Sequence, residues 1–169
     1  RMPRLPEQFR LPAGCLAFDF GPADSPVWEA GGFRRVTPGD AYSDEKGFGW
    51  TNGGAIQARP DSAGRDELRG DYVFAASGDG EKDLDPAPAF DLKLPAGAYR
   101  IFVIAGGIPY PDKYPTYFIE VGGKKAWLSV LNGRGDSVLA RPLIVHSGFQ
   151  VDHPGGVLSL RFPVPYFIL

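Results

Sequence analysis

The segment GGIPYPDKYPTY, residues 106 to 117, sets Tyr110, Tyr114 and Tyr117 among three prolines, with Asp112 and Lys113 between them. Prolines stiffen a loop and lower the entropy it loses on binding. Tyr110 and Tyr114 each offer a flat apolar face with a hydrogen-bonding tip, and Asp112 offers acceptor oxygens. A sugar ring has the matching surfaces, a face of C–H groups and a rim of hydroxyls, so the segment carries the chemistry of saccharide recognition. The competing reading is a long connection shaped by its prolines, its rings packed onto the body of the protein.

A second cluster, AYSDEKGFGWTNGG at residues 41 to 54, mixes rings, charges and four glycines. That is too many charges for a core strand and too many rings for a plain solvent loop. Tyr42 and Asp44 are further candidates to face a ligand. Trp50 joins them, although its reading leans toward packing, because large rings beside a strand are usually core.

Residues for catalysis are scarce. His146 and His153 stand seven apart, without the HExxH spacing of a zinc helix, and read as satisfied or solvated side chains. Neither a GxSxG elbow nor a glycine-rich phosphate loop opening a helix is present. Asp79, Glu81, Asp83 and Asp85 in GDGEKDLDP miss the EF-hand spacing, so a solvated insertion is the expectation. Two RGD triplets, at Arg69-Gly70-Asp71 and Arg134-Gly135-Asp136, are short enough to be turn chemistry.

The elements that must position these residues read as strands. FDLKL sets Phe90, Leu92 and Leu94 on one face and Asp91 and Lys93 on the other. PAG follows as a turn, then AYRIFVIA, apolar on both faces and so expected to run centrally, covered on each side. TYFIEV and KKAWLSV, joined by Gly122-Gly123, read as a hairpin with a two-residue primed turn. VLARPLIV, GFQV, VLSLRF and VPYFIL supply further strands, with Pro142 placing the first at an edge or bulge. One helical turn is conceivable from Ser62, limited by Gly64 and Gly70.

The 169 residues suit one domain, and 23 glycines with 17 prolines punctuating short apolar runs point to an all-β fold. A formal net charge of −2 without a basic block argues against nucleic acid and against a polybasic membrane contact. No apolar run approaches the roughly 20 residues of a membrane span. The single cysteine, Cys15, allows no internal disulfide and is expected as a small core residue at the edge of the first strand. Residues 1–12 read as a tail or linker and residues 13–169 as the domain, with both ends looking cut from a longer protein.

FDFGP at 18 to 22, GFRRVTPGDAYSDEKGFGW at 32 to 50, GRDELRGDYVF at 64 to 74, FDLKLPAGAYRIFVIAG at 90 to 106 and GGVLSLRF at 155 to 162 follow one another in that order. The series resembles the galactose-binding-like β-sandwich domains that accompany carbohydrate-active enzymes. It is most similar to the amino-terminal domain of rhamnogalacturonan acetylesterase-type esterases, and more distantly to malectin and the family 35 carbohydrate-binding modules. The resemblance implies an antiparallel β-sandwich of jelly-roll type, an extracellular or periplasmic setting and an adjacent catalytic domain. It also implies polysaccharide or oligosaccharide as partner, no cofactor, and room for a structural calcium.

The expectation is therefore a non-catalytic carbohydrate-binding module of a polysaccharide-degrading enzyme. Its ligand-binding residues are expected to be Tyr110, Tyr114, Asp112, Asp44, Tyr42 and Trp50. The alternative is a structural spacer that packs on a catalytic domain and binds no sugar. The tyrosine- and proline-rich loop and the GDGEKDLDPAP segment depart from the family pattern.

Overall fold

Alternation builds the FDLKL strand as expected. Phe90 and Leu94 turn inward while Lys93 stays in solvent, and two strands hydrogen-bond to it. The computed structural model describes residues 11–27, 29–60, 71–76, 84–106, 116–129, 144–163 and 166–168. The protein is all-β. Its strands are β1 Ala17–Phe20, β2 Phe33–Val36, β3 Phe48–Thr51, β4 Gln57–Pro60, β5 Asp71–Ala76 and β6 Ala89–Leu94. The remainder are β7 Gly97–Gly106, β8 Thr116–Val121, β9 Lys124–Ser129, β10 Ile144–His153, β11 Gly156–Arg161 and β12 Tyr166–Ile168.

A five-stranded antiparallel sheet runs β3-β6-β11-β8-β9. A three-stranded antiparallel sheet runs β12-β5-β4, and β7 pairs with β10 over ten residues in antiparallel register. Among the described strands β1 and β2 run parallel, Ala17 opposite Phe33 through Phe20 opposite Val36.

One hydrophobic core joins all four sheets. It gathers Val36 from β2, Phe48 and Trp50 from β3, Val73 and Ala75 from β5, Val103 from β7, and Ile119, Leu158 and Phe90 from the large sheet. Its densest part is aromatic. Phe18 and Phe20 of β1 meet the Phe90 ring edge-on at centroid distances of 5.1 and 5.0 Å, and Trp50 meets it at 5.3 Å. Such edge-to-face pairs add about 0.5–1.5 kcal/mol each beyond the area they bury.

Several expectations are corrected. Tyr99, Ile101 and Val103 do turn toward the core, but β7 is not covered on both faces, because Phe102 is 72% exposed. GFQV is the middle of one long strand, β10, that begins at Ile144 and runs through Gly148 to His153. Cys15 is exposed and precedes β1, so it is no part of the core. The described helical turns are short 3-10 turns at Glu29–Gly31 and Gly53–Ala55, and the stretch at Ser62 lies outside the described residues.

Other expectations stand. Gly122 and Gly123 form a two-residue turn with φ of 54° and 77°, closing Val121 against Lys124, as a primed hairpin turn requires. His153 is buried, with Nε2 3.3 Å from the Gly156 carbonyl and its ring against Tyr99, a satisfied histidine. Among the described residues no helix is long and apolar enough to cross a membrane.

Candidate functional site: a polar patch on the edge of the large sheet

The segment after β2 is folded by its own side chains. Asp40 Oδ2 accepts from the Thr37 backbone N–H at 2.6 Å and from the Thr37 hydroxyl at 2.8 Å, closing the turn over Pro38-Gly39. Residues 40 to 42 then lie alongside β3. Trp50 N–H donates to the Asp40 carbonyl at 2.7 Å, and Tyr42 N–H donates to the Trp50 carbonyl at 3.1 Å. This close approach requires glycine at position 49, whose φ is 146°, since a Cβ there would stand 2.6 Å from backbone atoms of Asp40 and Ala41.

The result sets Tyr42 beside the outward residues of β3 and β6. Its hydroxyl donates to Asp44 Oδ1 at 3.0 Å, and the same oxygen accepts from Lys93 Nζ at 3.1 Å. The turn behind it is fixed by Gly47 N–H bonding to the Ser43 carbonyl, and Lys93 N–H bonding to the Gly47 carbonyl, both at 2.8 Å. Next along the face, the Thr51 hydroxyl donates to Asp91 Oδ2 at 2.6 Å. Asp91 Oδ1 is shielded from solvent and has no partner among the described residues. Lys46 pairs with Asp40 and covers the Phe48 ring at 4.6 Å.

Electrostatics follow from these bonds. The hydrogen bond from Lys93, then that from Tyr42, hold the Asp44 carboxyl below the usual range, so it is ionised at neutral pH. Partial loss of water, then the bond to Asp44, raise the Tyr42 phenol, which stays a donor. Burial pushes Asp40 up, but its bonds from Lys46 and Thr37 together outweigh this and hold it low. The patch thus presents a phenol, two carboxylates, an ammonium and a hydroxyl, a set suited to hydroxyl groups of a ligand.

Of the sequence candidates, Tyr42 and Asp44 are brought together here. Trp50 is not available to a ligand. It is 3% exposed, its ring is packed on Phe20, Phe90 and Phe162, and its indole N–H donates to the Thr37 carbonyl at 3.1 Å. Packing wins because a neighbouring carbonyl satisfies the one polar atom of the indole. Tyr110, Asp112 and Tyr114 lie outside the described residues. Lys93, Thr51 and Asp91 were not singled out as site residues, although the alternation of FDLKL already turned Asp91 and Lys93 outward.

A second polar cluster sits at the start of β5. Arg35 donates to the carbonyls of Pro22 (3.1 Å), Ala23 and Ser25, tying down the turn after β1. The Asp71 carboxylate lies against Gly21, where a Cβ would fall 2.1 Å from Oδ2. Burial raises the Asp71 carboxyl, opposed by a hydrogen bond from Ser25 and the charge of Arg35. The first RGD triplet therefore ends in a residue held against the body of the protein. Among the described residues no group of three or more His, Cys, Asp or Glu gathers to hold a metal ion.

No protein-family model matches the chain, and no curated protein does. The crystal structure of protein YxiM from Bacillus subtilis is similar, with a TM-score of 0.52 over 90% of this chain at 21% identity. The chain spans 38% of the length of that protein. At this identity the likeness bears on the fold.

Proposed function

We propose that the chain is a non-catalytic carbohydrate-binding module, an antiparallel β-sandwich of the jelly-roll, galactose-binding-like type. In this reading it serves an extracellular or periplasmic enzyme that degrades polysaccharide. The observation that carries the reading is the outward patch in which Tyr42 is anchored by Asp44, itself clamped by Lys93, beside Asp91 and Thr51. The phenol takes the C–H face of a sugar, and the carboxylates and ammonium exchange hydrogen bonds with its hydroxyls. The ordered resemblance of FDFGP, YSDEKGFGW and FDLKLPAGAYRIFVIAG to sugar-binding modules supports the same reading.

A shallow, wet patch buries little area, so the dissociation constant is expected between roughly micromolar and millimolar. Avidity from the attached enzyme makes such an affinity useful. Affinity electrophoresis through gels containing soluble polysaccharides tests the reading. Tyr42→Ala and Asp44→Ala should each reduce retention at least several-fold with an unchanged melting temperature. Tyr110→Ala with Tyr114→Ala reports the contribution of the proline-rich segment. A glycan array with and without a calcium chelator identifies the sugar and any need for calcium. Silence across the array and all gels would leave the spacer reading in its place.

A further inference from the structure

On the face of β7 and β10 turned away from the core, one large ring is exposed among the described residues. Phe102 is 72% exposed and pairs across the strands with Gly148. A Cβ at Gly148 would lie 2.9 Å from Phe102 Cε1 and 3.0 Å from Cδ1, so the ring occupies the space a side chain there would take. A ring laid over a cross-strand glycine covers exposed backbone, which accounts for one of its faces. The other face is open. On the same face Ile104 with His146 lies to one side, and Arg100 with Gln150 and Ala98 with Asp152 to the other, the last four exposed. Among the described residues no side-chain hydrogen bond or ion pair engages Arg100, Gln150 or Asp152.

We propose that Phe102, set over Gly148 and flanked by Arg100 and Gln150, is a second saccharide platform on which one pyranose ring of a glycan stacks. This rests on the carbohydrate-binding reading and adds a site to it. Area decides the kind of occupant. One Phe side chain offers roughly 150 Å², against roughly 800 Å² per partner in a stable protein pair, and the exposed pair beside it, Arg100 with Gln150, is polar. A single ring bordered by guanidinium and amide groups matches one sugar, its C–H face on Phe102 and its hydroxyls on Arg100 and Gln150. Paired strands, not loops, hold all four residues, so the platform is formed before the ligand arrives.

Saturation-transfer NMR with cellotetraose and β-1,4-galactotetraose as probes tests this on the full chain. For at least one probe, transfer to the sugar ring protons should fall several-fold in Phe102→Ala, in Phe102→Leu and in Gly148→Val. It should persist in Phe102→Tyr and in part in Tyr42→Ala. The leucine separates stacking from mere apolar area, and the valine displaces the ring without removing it. If Phe102→Ala leaves transfer unchanged while Tyr42→Ala abolishes it, the platform is overturned and the carbohydrate-binding reading stands. Absence of transfer in the wild type with both probes overturns the platform. Absence from the glycan array as well overturns the parent reading. Sedimentation showing a dimer that Phe102→Ala dissolves would overturn the platform in favour of a contact between copies of the chain.

Discussion

The acidic residues show how position, not type, decides what a carboxylate does. Asp44 stands in solvent with Lys93 and Tyr42 as partners and is held ionised. Asp71 is pressed against Gly21, and burial raises its carboxyl above the ordinary 3.8. A folded-state value above the unfolded one means that the neutral form favours folding. That contribution is complete below about pH 3.8 and is lost as the pH rises through the raised folded value. Asp71→Asn removes the charge and keeps the shape. It should raise stability at neutral pH, read as an upward shift in melting temperature, by an amount softened by the partial exposure of the group. The gain should shrink toward zero as the pH is lowered past 3.8. Thermal melts of both proteins between pH 3 and 8 check this, and a variant less stable at pH 7 than the wild type would contradict it.

At the level of the element, turn chemistry and alternation were legible, whereas pairing across strands was not. Gly122-Gly123 announced its hairpin because both positions need a positive φ. Gly122 has a φ of 54° and open space where a Cβ would stand, so Gly122→Asn should hold the turn while restricting the unfolded chain. The expected gain is about 0.5 kcal/mol, read as an upward shift in melting temperature, whereas Gly122→Val should lower it. FDLKL gave the inward and outward sets of β6 correctly, which placed Asp91 and Lys93 on the face that carries the candidate patch. The link from Lys93 to Asp44 depends on the register that lays Gly47 beside β6, and nothing within either segment encodes it. Trp50 was ambiguous for the same reason, since its indole partner is the carbonyl of Thr37, 13 residues away. β7 looked covered on both faces because Phe102 and Ile104 flank Val103. Only the register with β10 shows that Phe102 meets a glycine and stays in solvent.

Four sheets around one set of buried side chains make a claim about the whole molecule, because residues from each of them enter that one set. Val103 of β7, Val73 of β5 and Val36 of β2 belong to the same cluster as Ile119 of β8. The loss of Ile119, which is fully buried, should therefore be felt everywhere at once. Truncating a buried isoleucine to alanine costs about 2–5 kcal/mol, through lost transfer energy and the cavity left behind. In a chain of this size each kcal/mol lowers the melting temperature by roughly 2–4 °C. Ile119→Ala should accordingly shift the unfolding midpoint seen by far-UV circular dichroism and that seen by tryptophan fluorescence by the same amount, with one transition in each. Two resolved transitions, or a fluorescence midpoint that stays while the dichroism midpoint falls, would show that the sheets unfold as separate units. In that case the β7–β10 face could not serve as a platform fixed relative to the Tyr42 patch. Coincident midpoints would mean that both faces stand on one cooperatively folded core.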